Sequence, residues 1–167
     1  MFKVGIIGPE STGKSTLARY LAKRYHGVLI PEYARTFVEQ LMANGRTDEW
    51  TKVITYEDVC RIAKHQIEEL KLTANSQEPI AFYDTELIVT KVWFQYAFGR
   101  VPEWLEEAIQ QYPMDVYLLC RPDIAWEADK ARSNSSDEIR QELFERYEQE
   151  IEELGIPYYI VEHDDES

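Results

Sequence analysis

Nine residues near the start of the chain, "GPESTGKST" (Gly8–Thr16), constrain the fold more than any other stretch. Gly8–Ser15 fits G-x-x-x-x-G-K-[ST] at every position, the pattern of a loop that turns its backbone N–H groups inward around a nucleotide's phosphates. In that pattern the lysine, here Lys14, reaches the β/γ oxygens as a point charge, and the hydroxyl of Ser15 binds Mg²⁺. The run before it, "FKVGIIG", reads as a short buried strand. Immediately after it Leu17, Ala18, Leu21, Ala22 and Tyr25 recur at helical spacing. A strand, a Gly-rich loop and a helix in that order place the helix's positive dipole end against the phosphates.

The rest of the chain alternates in the same way. Strand patterns fall at 28–31 ("VLIP"), 79–84 ("PIAFYD"), 115–120 ("DVYLLC") and 157–161 ("PYYIV"). Helical patterns lie between them. Tyr33, Ala34, Phe37, Val38, Leu41 and Met42 share one face of a helix closed by Asn44-Gly45. A loop over 46–54 follows, and Thr55 with Asp58 is placed as a capping box for the next helix. Residues 85–98 are apolar nearly all round, and their length favours a buried helix over a strand. Pro102 sits in the first turn of a short helix, and Ser135-Ser136-Asp137-Glu138 is a second capping box, opening a helix that Gly155 stops. The pattern predicts a single α/β domain over 1–167, a three-layer P-loop sandwich with a five-stranded, mostly parallel sheet. Only 121–136 lacks a clear element, a length of irregular chain that is usually functional or disordered, and it is read here as a lid.

Charge narrows the ligand. The chain of 167 residues carries a formal net charge of −13, which argues against a nucleic-acid partner, because such proteins need a basic face. Residues 1–35 nonetheless hold six Lys or Arg against Glu10 and Glu32, while 137–167 hold twelve acids against Arg140 and Arg146. A locally basic segment on an acidic body suits a small anionic ligand. Cys60 and Cys120 have neither metal nor disulfide-framework spacing and read as structural. No run approaches a membrane span and the N-terminus is no signal peptide, so a cytoplasmic protein without a membrane partner is expected. The acidic C-terminal tail is expected to fray. Oligomeric state is not legible.

The loop gives nucleotide binding, not the reaction. The guanine-reading N-K-x-D and the D-x-x-G switch of loop-type GTPases are absent, and AAA-type motors need more chain. A kinase needs a carboxylate near the acceptor hydroxyl, a carboxylate tied to Mg²⁺, and mobile positive groups over the transferring phosphoryl. Asp84 ends the apolar run Ile80–Tyr83 in the form of a metal-binding strand end, and would equally serve as an N-cap for the helix that follows. Glu32 follows the second strand, either as the acceptor carboxylate or as a first-turn acid favoured by the helix dipole. Arg35 either holds an acceptor group or pairs with Glu32 one turn away. Lys130 and Arg132 either close over the phosphates or belong to a solvated loop. Trp93 reads more readily as core, and Trp126, in the polar segment, more readily as a stacking surface.

Taken together, "GPESTGKSTLA", "EYAR" (32–35), "HQ" (65–66), "YDTE" (83–86) and "LLCRPDIAWEADKAR" (118–132) resemble the ribosylnicotinamide kinase family, the kinase domain found at the end of a bifunctional NAD-salvage regulator. The resemblance implies a nucleoside- or nucleotide-kinase-like fold that uses ATP and Mg²⁺ to phosphorylate the 5′-hydroxyl of nicotinamide riboside. It implies an ATP loop formed by Gly8, Pro9, Glu10, Ser11, Thr12, Gly13, Lys14, Ser15 and Thr16, and Mg²⁺ held by Ser15 and Asp84. Lys14, Glu32, Asp84 and Arg132 would be catalytic, with Glu32 the base and Asp84 its rival. The nucleoside would lie among Glu32, Tyr33, Arg35, Asp84, Glu86, Trp93, Trp126 and Asp129. Two departures are conservative or local: Glu86 stands where the family has Asp, and Lys130 where it has Gly. A third touches the substrate. Family members sandwich the nicotinamide between aromatic rings next to "EYAR" and one turn beyond "HQ", positions that hold Pro31 and Leu70 here. That weakens the nicotinamide assignment and leaves the kinase assignment intact, with another nucleoside, a small polyol or a slowly hydrolysing switch as the alternatives. No adenylyltransferase motif precedes the first strand, so synthesis of NAD itself would fall to another protein.

Overall fold

Short, largely apolar strands that alternate with helices are the pattern of a parallel sheet with helices on its faces. The computed structural model describes residues 1–9, 12–43, 54–122 and 136–162. Within them run β1 (Phe2–Ile7), α1 (Lys14–Arg24), β2 (Val28–Ile30), α2 (Tyr33–Ala43), α3 (Tyr56–Ala74), β3 (Ile80–Asp84), α4 (Leu87–Phe98), α5 (Glu103–Gln111), β4 (Val116–Cys120), α6 (Ser136–Leu154) and β5 (Tyr158–Val161). The strands form one sheet in the order β2-β3-β1-β4-β5, and every pairing is parallel. The mostly parallel sheet expected from the sequence is wholly parallel among the described strands.

Strand alternation builds two cores. Val4, Ile6, Phe82 and Cys120 point to one face and pack with Ala18 and Ala22 of α1. Ile7, Ala81, Tyr83, Tyr117 and Leu119 point to the other and pack with Val59 and Ala63 of α3, Ile88 and Val92 of α4, and Phe144 and Ile151 of α6. Burying each such large aliphatic or aromatic side chain stabilises the fold by about 1.5–3 kcal/mol. The result is three layers: α1, sheet, and the remaining helices.

Local signals set the boundaries. The Thr55 side chain accepts from the Asp58 N–H at 3.1 Å and Asp58 accepts from the Thr55 N–H at 3.0 Å, completing the capping box of α3. Gly155, at φ 72, follows the last residue of α6 as expected. The Asn44-Gly45 stop, Ser135 of the second capping box, and the acidic tail from 163 lie outside the described residues. The carboxyl ends of β1, β2 and β3 lie side by side, so that Gly8, Glu32 and Asp84 share the edge where open parallel sheets bind ligands.

Candidate active site

The phosphate loop is shaped by two glycines. A Cβ on Gly8 would lie 2.8 Å from the Cys120 carbonyl oxygen, so only glycine lets the chain pass over the end of β4. Gly13, at φ 78, is the N-cap of α1 in the left-handed region. No side chain caps α1 and no acid sits in its first turn, so its leading N–H groups remain available to an anion. Thr12 braces the turn by donating from Oγ1 to the Pro9 carbonyl at 2.8 Å.

Three strand ends meet at this loop. Ser15 donates from Oγ to Asp84 Oδ2 at 2.6 Å, joining β1–α1 to β3. Asp84 Oδ1 is buried without a hydrogen-bond partner. A hydroxyl and a carboxylate with one unclaimed buried oxygen, beside a phosphate loop, fit a hard cation such as Mg²⁺, which takes oxygen ligands and shares them with substrate phosphates. Among the described residues no cluster of three His, Cys, Asp or Glu offers a metal site of another kind. Asp84 is the last residue of β3 and does not cap α4. That alternative is corrected by Glu86, whose side chain accepts from the Ile88 N–H at 2.9 Å and so forms the N-cap. The displacement has a local cause: Thr85 turns the chain at φ 71 and delays the helix to Leu87.

Glu32, between β2 and α2, faces the loop. Its Oε2 lies 3.9 Å from the Lys14 ammonium and accepts from Thr85 Oγ1 at 3.3 Å, and its Oε1 is 3.8 Å from Arg35 Nε. Of the two alternatives for Arg35, the structure shows the pairing with Glu32, with Arg35 58% exposed. Lys14 is buried with its charge answered by Glu32.

Beyond Glu32 opens a narrow cleft lined by Ile30, Pro31, Tyr33, Gln66, Glu69, Leu70, Tyr83, Thr85, Glu86 and Leu87. Pro31 and Leu70 do lie on its walls. Tyr33 stacks on His65 with ring centroids 3.5 Å apart and 12° between planes, giving the mouth a flat aromatic edge. Gln66 is held by Thr90, which donates to its Oε1 at 2.7 Å. The Tyr83 and Thr73 hydroxyls share a hydrogen bond. Burial pushes the Glu86 carboxyl up to about 7, against hydrogen bonds from the Ile88 N–H, the Tyr117 hydroxyl and the Leu87 N–H. Burial likewise raises Glu69, opposed by His65, whose Nε2 is 3.2 Å away. Burial pushes the Cys120 thiol up to about 11, leaving it protonated and inert as the structural reading expects.

Of the residues singled out from the sequence, Lys14, Ser15, Glu32, Tyr33, Arg35, Asp84 and Glu86 gather on this edge of the sheet. Trp93 is not among the cleft residues and packs against the main core. Glu10, Ser11, Trp126, Asp129, Lys130 and Arg132, with all but the ends of the 121–136 segment, lie outside the described residues. Sequence reasoning missed Thr85, Gln66 and Glu69. The first two sit inside the quoted blocks "YDTE" and "HQ", and Glu69 shows only as a polar residue one turn beyond Gln66.

A P-loop three-layer fold with a nucleoside-kinase-like arrangement of strand ends is the class these features define. The chain belongs to the AAA_28 family, described as an AAA domain, whose model matches residues 3–167. The length argument against AAA-type motors did not anticipate that description. The chain is homologous to the trifunctional NAD biosynthesis/regulator protein NadR of Escherichia coli (strain K12), at 28% identity over 97% of this chain and 38% of that protein. Solved structures of NadR, in complex with NR and with NAD and AMP-PNP, superpose with TM-scores of 0.78 and 0.75 at 27% identity. They cover 99% of this chain and 46% and 45% of theirs. The chain thus spans less than half the length of these relatives. A deoxyadenosine kinase from M. mycoides, at 16% identity and TM-score 0.61 over 99% of this chain and 92% of its own, shares the fold. No helix among the described residues is long and apolar enough to cross a membrane.

Proposed function

We propose that this chain is an ATP-dependent kinase that transfers the γ-phosphoryl group to the 5′-hydroxyl of a ribonucleoside, with nicotinamide riboside as the acceptor. The observation that carries the reading is the approach of Lys14 to Glu32 at 3.9 Å, next to the cleft that Pro31 and Thr85 line. A carboxylate so placed can orient the hydroxyl of a bound acceptor towards the phosphoryl group, as a kinase requires. ATP would lie in the Gly8–Thr16 loop, with Ser15 and Asp84 holding Mg²⁺. Held by Ser15 and Asp84, Mg²⁺ would supply positive charge to offset the negative charge of the phosphoryl group.

The chain's own groups do the rest. Lys14 exchanges its contact with Glu32 for the phosphoryl oxygens. Glu32 orients the acceptor hydroxyl and takes its proton as the oxygen bonds to the γ-phosphorus, and the bridging oxygen leaves with ADP. Because the transition state is loose, positioning contributes more than basicity. Glu32 is therefore assigned the acceptor role and Asp84 the metal role.

The lining favours a cationic base. Nicotinamide riboside carries a permanent positive charge on its ring, and the cleft presents Glu69 with no Lys or Arg among its described lining residues. Tyr33 supplies a flat face at the mouth. Pro31 and Leu70, which replace the expected rings, favour a second reading in which another ribonucleoside is phosphorylated. A panel of nucleosides assayed for acceptor-dependent ADP release separates the two. Nicotinamide riboside should give the highest kcat/KM, above its uncharged analogues; a neutral purine or pyrimidine riboside in first place would replace it as the acceptor.

A further inference from the structure

We propose that Thr85 is a positioning residue for the acceptor carboxylate, kept in a left-handed backbone conformation so that its hydroxyl fixes the rotation of Glu32. The proposal rests on the kinase reading above and assigns a role to a side chain outside the set it named. Thr85 is at φ 71 and is 7% exposed. Among the described non-glycine residues only His26 shares a positive φ. His26 lies in the turn between α1 and β2, where an isolated residue of this kind is unremarkable, whereas a β-branched residue there is a genuine outlier.

The backbone on both sides of Thr85 is tied down. Its N–H donates to the Ile6 carbonyl at 2.9 Å, extending the β3–β1 ladder by one residue. Asp84 before it is committed to Ser15 and Glu86 after it to the first turn of α4. The chain must change direction in one residue between two fixed carboxylates. Glycine or asparagine would meet that demand with less strain. Threonine adds a hydroxyl, and that hydroxyl donates to Glu32 Oε2 at 3.3 Å, bridging the ends of β3 and β2. Strain retained at a strand end beside a reaction centre is where such conformations gather.

Glu32 needs this contact because its other partners are loosely held. The Lys14 and Arg35 pairs stand at 3.9 and 3.8 Å, beyond hydrogen-bond length, and Arg35 is 58% exposed. Lys14 turns away from Glu32 when phosphates arrive. Thr85 is then the buried donor that keeps Oε2 in place and leaves Oε1 for the acceptor hydroxyl. Contacts of this kind are long in the resting protein and tighten with substrate bound.

The test is a double-mutant cycle in the full chain, read by acceptor-dependent ADP release at saturating ATP. Thr85→Val removes the hydroxyl at constant shape. Thr85→Gly removes it while relaxing the backbone, which covers the case in which the valine variant fails to fold. Each should lower kcat about tenfold, the rate equivalent of one hydrogen bond of ordinary strength. Thr85→Ser should retain most of the rate, and the KM for ATP and the Mg²⁺ requirement should not move. In a Glu32→Ala background, which leaves the hydroxyl no side-chain acceptor at position 32, Thr85→Gly should cost almost nothing further. Full kcat in Thr85→Gly, beside a crippled Glu32→Ala, overturns the role of Thr85 and leaves the kinase reading standing. An equal loss from Thr85→Gly in both backgrounds overturns it too, because Thr85 would then act independently of Glu32. Full kcat in Glu32→Ala removes the acceptor carboxylate itself, and the proposal with it.

Discussion

Asp84→Asn separates metal binding from architecture because the two predict opposite signs. In the resting protein Asp84 Oδ2 accepts from Ser15 at 2.6 Å while Oδ1 is buried with no hydrogen-bond partner. Asparagine keeps an acceptor for Ser15 and replaces the unclaimed charged oxygen with a neutral amide. Leaving a buried polar atom unpaired costs about 1–3 kcal/mol, and more when it is charged. The substitution should therefore be neutral or stabilise the ligand-free protein by about 1 kcal/mol, a rise in Tm of about 2–4 °C for a chain of this size. The same change removes the anionic oxygen offered to Mg²⁺, and disturbing a metal site's supporting oxygens typically costs 10- to 100-fold in affinity or activity. The assay is a pair of titrations: thermal unfolding without ligands, and acceptor-dependent ADP release against Mg²⁺ concentration. The half-saturating Mg²⁺ concentration should rise about 10- to 100-fold while Tm holds or increases. A fall in Tm with an unchanged Mg²⁺ requirement would refute the reasoning and make Asp84 a structural acceptor for Ser15.

Lys14→Ala should abolish turnover, because Lys14 supplies phosphate charge, while Tm changes little; near wild-type kcat would remove the loop from the reaction. The Glu86 carboxyl, raised from 4.5 to about 7 by burial, stays protonated in the folded chain across a window where the unfolded chain has lost its proton. Its contribution to stability is complete below about pH 4.5 and is lost as pH rises through about 7, on the order of 3 kcal/mol at 1.36 kcal/mol per unit. Glu86→Gln should accordingly match the wild type near pH 4.5 and exceed it near pH 8 in denaturant unfolding, and a constant gap at both pH values would show that Glu86 is ionised throughout. Thr55→Ala opens the capping box of α3 and should cost about 1 kcal/mol, measured as a lower denaturation midpoint with an unchanged m-value.

The alternation of strands and helices was legible because it rests on local patterns: apolar runs, caps and Gly or Pro stops. Thr55 with Asp58 shows how directly such a signal converts into structure. The phosphate loop was legible for the same reason, since its glycines answer a backbone demand within nine residues. What sequence reading placed wrongly was the start of α4. The run from 85 to 98 gives no sign that Thr85 adopts φ 71, so Asp84 stood as the candidate cap where Glu86 takes that place. The cleft was harder still. Gln66, Glu69 and Leu70 occupy one face of α3, and on paper that face is an ordinary amphipathic helix with two polar intrusions. Only the pairing of β2 with β3, which carries Pro31 and Glu32 beside Tyr83 and Thr85, turns those intrusions into cleft walls. Likewise, nothing within either sequence block joins Lys14 to Glu32; parallel sheet order does.

The most direct test of the central claim follows the phosphoryl group itself. With ATP labelled at the γ-phosphate and nicotinamide riboside as acceptor, the label should appear in the 5′-mononucleotide, one equivalent for each ADP formed, with almost none released as inorganic phosphate. Label recovered as inorganic phosphate at a rate indifferent to any nucleoside would contradict the account and identify the Gly8–Thr16 loop as that of a hydrolysing switch.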